Sequence, residues 1–248
     1  MALIWQKRVG DNRYQVRSHG ASVRLFSNGV FHSQWNPRDP LKGSLWELLL
    51  LPAFFLPPGQ IRSVLLLGVG GGALIRLLQR YVSPQRIVGV DLDPVHLDVA
   101  RRFFGVRDAE LVCADARDYV AAELSGKKPG SFDLVIDDLF GHTDGEAERA
   151  VAADPEWARS LSRLLRDRGL LVSNFGSRRE LLASGWRRPA IRADFPRSWT
   201  ADLPTYENCV LATSRQPLFR RQLVAGTPAA INPNNPARRL DCRLRRLD

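Results

Sequence analysis

The stretch Val64-Leu65-Leu66-Leu67-Gly68-Val69-Gly70-Gly71-Gly72 decides the fold. Its continuous apolar run reads as a strand buried on both faces, the habit of parallel sheets. The run passes straight into glycines, and Ala73 to Arg80 continues as a helix. Such a strand–turn–helix unit lets the backbone approach a bound nucleoside where side chains would clash. Taken alone it is shared with NAD- and FAD-binding proteins, and a tight turn without a ligand has the same look.

Working outward, further apolar runs end at Val90, Cys113 and Ile136, and another spans Leu170-Leu171-Val172. Helical segments lie between them. Asp93-Pro94 reads as an N-cap followed by proline at the first helical position, opening a helix from Val95 to Phe104. Asp154-Pro155 does the same for a helix through Leu165, which Gly169 closes. Repeated βα units imply an α/β, Rossmann-like, doubly wound and mostly parallel sheet. Right-handed crossovers then align the strand ends on one rim. That rim receives Gly68, Gly70, Gly71 and Gly72, then Asp91 with Leu92, then Asp115 with Ala116, then Asp137 and Asp138. A carboxylate at Asp91 can accept from ribose hydroxyls, and one at Asp115 from an adenine amino group. A dinucleotide-binding domain would account for the glycines and Asp91, but not for the later acids.

The flanks are of a different kind. Residues 1–43 read as a small β-strand region. Tyr14–Arg17 and Val23–Phe26 are strand-like, and Asn28-Gly29 carries a hairpin signal. An apolar helix over 44–56 opens the main domain, which runs to 214. Residues 215–248, rich in Pro, Asn and Arg, read as a surface-hugging or loosely ordered basic tail.

Of the 248 residues 44% are hydrophobic, enough for a large core. The formal charge is +10, carried almost entirely by arginines spread along the chain. Only Arg238, Arg239, Arg243, Arg245 and Arg246 cluster, with no interleaved aromatics, so nucleic acid is an unfavoured partner without being excluded. No apolar run reaches membrane-spanning length, since Glu47 and Pro52 interrupt Leu45–Leu56. Met1–Trp5 shows no charged leader with an apolar block. Cys113, Cys209 and Cys242 are odd in number and carry no metal-ligand spacing. A cytoplasmic location and no metal are the expectations.

Val64–Gly72, Val90–Pro94, Ala114–Ala116 and Phe132–Asp138 together resemble class I S-adenosylmethionine-dependent methyltransferases, and specifically their spermidine synthase-like branch. Leu25–Phe31 followed by Trp46-Glu47 is similar to the N-terminal hairpin region of spermidine synthases. Leu203–Thr213 is similar to their late Pro-Thr-Tyr strand. The resemblance implies that the cosubstrate is S-adenosylmethionine or its decarboxylated form. Asp91 would hold the ribose, Asp115 the adenine edge, and Asp138 would face the reacting amine. His142 is the nearest alternative base, His32 a weaker one. Glu47, Trp46 and Tyr206 are candidates for the acceptor pocket. A homodimer is implied by the resemblance alone.

The departures bear on the reaction. Aminopropyltransferases place an aspartate where this chain has Gly71, a second acid where it has Gly141, and a tyrosine where it has Leu45. A polyamine is a chain of cations, and the carboxylates that would grip it are thinned out. Intact S-adenosylmethionine carries a carboxylate that the decarboxylated form lacks. An aspartate at 71 would repel it by about 4 kcal/mol at about 4 Å and an effective dielectric of about 20; Gly71 removes that repulsion. Methyl transfer to a small-molecule or protein amine, or another nucleophile, is therefore favoured. Aminopropyl transfer and a non-catalytic nucleoside-binding scaffold are the alternatives.

Overall fold

The Asn28-Gly29 turn shapes the first part of the molecule. Both residues have positive φ, 51° and 85°, as a two-residue hairpin turn requires to follow the strand twist. The computed structural model describes residues 1–126, 130–143 and 146–247, with backbone alone at 142–143 and 146–147. Strands β1 (Ala2–Val9), β2 (Asn12–His19), β3 (Ser22–Ser27) and β4 (Val30–Trp35) form an antiparallel meander in chain order. Tyr14, Val16, Leu25 and Trp35 bury one face of it in the main core. Strand β1 has no alternating apolar pattern, because nearly all of it is exposed, and the sequence gives it no signal.

Helix α1 (Leu45–Leu50) follows, and Pro52 continues it only as a 3₁₀ turn over Leu51–Phe55. The expected single helix over 44–56 is thus split at the proline. The chain then lays down β5 (Ser63–Leu67), α2 (Ala73–Tyr81), β6 (Arg86–Asp91), α3 (Pro94–Arg102), β7 (Glu110–Cys113), α4 (Ala116–Ser125) and β8 (Phe132–Asp137). A short hairpin, β9 (Phe140–Thr143) with β10 (Glu146–Arg149), precedes α5 (Pro155–Leu164) and β11 (Leu165–Phe175). The remainder is α6 (Arg178–Ala183), α7 (Pro189–Arg192), β12 (Ser198–Asp202), β13 (Cys209–Ser214), α8 (Arg220–Gly226) and β14 (Arg243–Leu247).

These strands make one eight-stranded sheet in the order β14-β12-β13-β11-β8-β5-β6-β7. The five strands from β11 to β7 are parallel, and β13, β12 and β14 are antiparallel. Successive side chains of a strand face opposite ways, so the central strands feed two cores. Val64, Leu66, Leu134 and Ile136 pack on the side of α1, α2 and the N-terminal sheet. Leu65, Leu67 and Val135 pack on the side of α5, with Trp157, Leu161 and Trp186. After β5 the chain moves outward through β6 and β7, then returns to place β8 on the other side of β5. The crevice at the carboxyl ends of β5 and β8 is therefore a topological switch point, where open α/β sheets bind ligands.

Of the two readings of the tail, residues 215–247 follow the surface-hugging one and go further: β14 pairs with β12 and closes one edge of the central sheet. Leu240 and Leu247 are buried. Arg239 binds Asp39 at 2.6 Å, Arg245 binds Asp202 at 2.8 Å and Arg238 binds Asp241 at 3.0 Å. Much of the arginine cluster is thus matched by acids of the same chain. Among the described residues no helix is long and apolar enough to cross a membrane.

Candidate active site

Gly68 leaves β5 with φ +90°, and a β-carbon there would collide with the carbonyl oxygen of Asp138. The backbones of the two switch-point strands therefore meet at this glycine, and Asp138 N–H donates to Leu67 O at 2.9 Å. Gly71 is closed differently. A β-carbon on it would lie 2.7 Å from the Phe104 ring and 2.7 Å from Ser33 Cβ. Phe104 is a core side chain at 2% exposure, so it has little room to yield.

Asp91 stands at the end of β6 and ties the turn down. Its Oδ2 accepts from Val69 N–H (2.9 Å) and Gly70 N–H (2.8 Å), and its Oδ1 from Asp93 N–H (2.9 Å). Burial opposes its ionisation, but His96 and these backbone donors hold its pKa below the ordinary value. Next to it Leu92 is 70% exposed, an uncovered apolar side chain on the rim. Asp115 caps α4, accepting from Arg117 N–H at 2.7 Å, and Ala116 begins that helix. Ala114 N–H bonds Asp91 O at 3.1 Å. The glycine turn, Asp91, Leu92, Asp115 and Asp138 thus share one rim.

His96, in the first turn of α3, couples this rim to the N-terminal sheet. Its Nε2 shares a 2.9 Å hydrogen bond with Ser27 Oγ, and its Nδ1 lies 3.6 Å from Asp91 Oδ1. Tyr14 OH donates to Asp93 Oδ2 at 2.6 Å, and its ring meets His96 edge-on. Burial alone would lower the His96 pKa, but Asp91 and Asp93 outweigh it and raise the value. A raised histidine contributes its full stability below its ordinary pKa of about 6.5 and loses it as pH climbs past the folded value. His96→Gln should therefore cost about 1–3 kcal/mol near pH 6 and less at alkaline pH. Melting curves against pH check this; a cost that stays constant across the window would contradict the ion pairing.

Asp137 and Asp138 are neighbours in sequence and differ in surroundings. Asp137, fully buried, accepts at Oδ2 from Arg149, from Ser173 Oγ (2.8 Å) and from Trp157 Nε1 (3.3 Å). Those donors place it on the α5 side of the sheet, away from the rim. Asp138 is partly buried, and its Oδ1 accepts from Asn174 Nδ2 at 2.8 Å. Asn174 Oδ1 in turn accepts from Asn208 Nδ2 at 3.1 Å. Burial, seconded by the charges of Asp137 and Asp91, pushes the Asp138 pKa up to about 6, against the pull of Asn174 and Arg149. A carboxyl that titrates close to neutral pH is suited to exchanging protons with a reactant.

The acceptor-side candidates separate. Glu47 is 2% exposed, and its oxygens accept from Lys42 N–H (2.6 Å) and Ser44 N–H (2.8 Å) while Ser44 and Glu47 form a capping box on α1. It is spent on its own helix. Trp46 is half-buried, edge-to-face with Phe31 at 5.2 Å. Tyr206 is 39% exposed on the turn before β13. His142 lies on the β9–β10 hairpin, and its side chain falls outside the described part of the structure. His32 packs against His96, ring centroids 5.1 Å apart. Asn174, Asn208, His96 and Arg149 join the site without having been read from the sequence. Asn208 lies within the Leu203–Thr213 stretch and His96 within the helix opened by Asp93-Pro94, but no motif singles out either of them.

The comparisons agree with this architecture. Residues 64–169 match a methyltransferase domain family. The polyamine aminopropyltransferase of Aeropyrum pernix is 35% identical over 67% of the chain and 56% of its own length. A probable spermidine synthase from Corynebacterium glutamicum superposes with a TM-score of 0.72 at 17% identity, covering 96% of this chain and 90% of that one. The chain is a spermidine synthase-like protein of the class I methyltransferase fold. Human methyltransferase-like protein 13, in complex with SAH, shares the fold at a TM-score of 0.62 and 20% identity, covering 73% of this chain and 87% of that one. The spermidine synthase-like chain spans about half the length of the curated relatives it matches.

Proposed function

We propose that this chain transfers a methyl group from S-adenosylmethionine to an amine or another nucleophile. The observation that carries the reading is Gly71. An aspartate there would need the space now held by Phe104 and Ser33. The chain thus lacks, and has filled the place of, the acid that would select a decarboxylated cosubstrate. Glu47 strengthens the reading, because one oxygen serves the α1 cap at Ser44 and the other accepts from Lys42 N–H just before it. Of the acceptor-side candidate carboxylates among the described residues, that leaves Asp138, too few to grip a polyamine.

The residues present fit a nucleoside cosubstrate. Gly68 to Gly72 give a turn without side chains, Asp91 would meet the ribose, Leu92 would cover a base face and Asp115 would accept from its amino group. When bound, S-adenosylmethionine supplies a carbon activated by its sulfonium. The protein's contribution is then alignment and proton handling. Asn208 and Asn174 fix the Asp138 carboxyl through Oδ1, and Asp138 orients the acceptor nitrogen or takes its proton. Trp46 and Tyr206 would border the acceptor.

Aminopropyl transfer is the second reading, favoured by the names of the curated relatives. Calorimetry with intact and decarboxylated S-adenosylmethionine separates the two. The intact form should bind at least about tenfold more tightly if the carboxylate is tolerated beside Gly71. Tighter binding of the decarboxylated form would reverse the assignment.

A further inference from the structure

A cavity of about 260 Å3 lies between the sheet and the α6–α7 region, lined by Trp186, Arg187, Arg192, Phe195, Ser198 and Thr213 among others. Ser198 and Thr213, bonded to each other at 2.7 Å, sit at the ends of β12 and β13 opposite Asn208. The cavity is therefore remote from the rim. None of its lining residues is acidic. Trp186 is 5% exposed, and its indole N–H has no hydrogen-bond partner among the described residues. Buried donors are nearly always satisfied, because an orphan loses its hydration without return. The ring itself is fixed edge-to-face against Phe195 at 5.6 Å.

The surroundings are cationic. Arg192 is exposed, and Arg187 is partly buried with an interaction of its own inside the protein. Behind Phe195 stands the Arg215 guanidinium, 5.5 Å from the ring centroid. Arg215 also borders a neighbouring shallow hollow with Arg163, Arg166 and Asp167, where Arg166 is paired with Asp133 at 2.9 Å. Several like charges around a small concave space raise the local concentration of anions. The opposite wall is apolar, with Leu211 and Leu247.

We infer that this cavity is a second binding site, for a small organic anion: a carboxylate or phosphate monoester on a compact apolar body. The anionic group accepts from the Trp186 indole N–H and pairs with Arg192, and the body packs against Phe195 and the sheet leucines. The site is independent of the methyl-transfer reading, since it shares no residue with the rim.

The test is titration of the full chain with benzoate, phenyl phosphate and benzylamine, read by calorimetry. Trp186→Phe keeps the ring and removes the donor; Arg192→Gln removes an exposed charge with no burden on folding. One or both anions should bind in one-to-one ratio, benzylamine should not, and each variant should weaken the anion by about tenfold or more. Benzoate alone or phenyl phosphate alone would also support the site and name the group it takes. Failure of both anions would overturn it, leaving a cavity for water only. So would equal binding of benzylamine, or an affinity that Arg192→Gln leaves unchanged.

Discussion

Under the proposed methyl transfer, Asp138→Asn is expected to abolish most activity and, at neutral pH, to make the protein more stable. The loss follows from removing the rim carboxyl that the Asn208–Asn174 chain positions, and positioned acid–base groups contribute about 100- to 10,000-fold. The gain follows from its surroundings. Burial, with Asp137 and Asp91 nearby, holds the Asp138 pKa at about 6, above its unfolded value of about 3.9. The folded state therefore binds the proton more tightly than the unfolded state, and stability falls as pH rises from about 4 to about 6. Above that window the charged carboxylate costs on the order of 2–3 kcal/mol, which asparagine avoids. Below about pH 4 both states are protonated, and variant and parent should converge. In the active enzyme kcat/KM should rise through the same apparent pKa. A variant that is inactive but less stable at pH 7, with no convergence in acid, would show that Asp138 serves the loop and not the reaction.

The second large effect concerns Arg149, at 4% side-chain exposure, paired with the fully buried Asp137. It also donates to the Asn174 carbonyl, lies 3.7 Å from Glu180 and stacks over Phe175 at 5.1 Å. Arg149→Met leaves a buried carboxylate without its counter-charge, held by Ser173 and Trp157 alone among the described donors, which costs about 3–5 kcal/mol. For a chain of this length that lowers Tm by roughly 10 °C. Arg149→Met combined with Asp137→Leu should recover part of the loss, since replacing both partners by apolar groups spares the buried charge. Chemical denaturation of the three variants measures it. A double variant no better than the single one would place the cost in packing on Phe175 and not in charge.

The two adjacent acids show where sequence reading stops. Both end an apolar run, and both read as rim residues. The strand's period of two turns Asp137 inward to meet an arginine twelve positions on, and that arginine arrives on a hairpin with no motif. Asp91, Asp115 and the glycines were legible because the βα unit itself puts those positions at strand ends. Glu47 was misleading for a local reason: Ser44-Leu45-Trp46-Glu47 is also a capping-box pattern, and that short-range demand consumes the carboxylate. The C-terminal segment was legible only in part, as one that hugs the surface or stays loose. Proline, asparagine and arginine suggest a loose end, while Leu244 and Leu247, three apart in a five-residue strand, gave too little alternation to announce a sheet edge. The cavity at Trp186 had no sequence mark, since an orphan N–H is a property of packing.

The seating of the N-terminal meander has a practical corollary. Tyr14 and Ser27 reach Asp93 and His96, and the same His96 steadies Asp91. A trimmed fragment drawn around the recognisable core at 64–169 would lack these supports, together with Asn174 and Asn208. Ligand screens run on such a fragment would under-report the whole molecule, and a blank result from them would say little about the full chain.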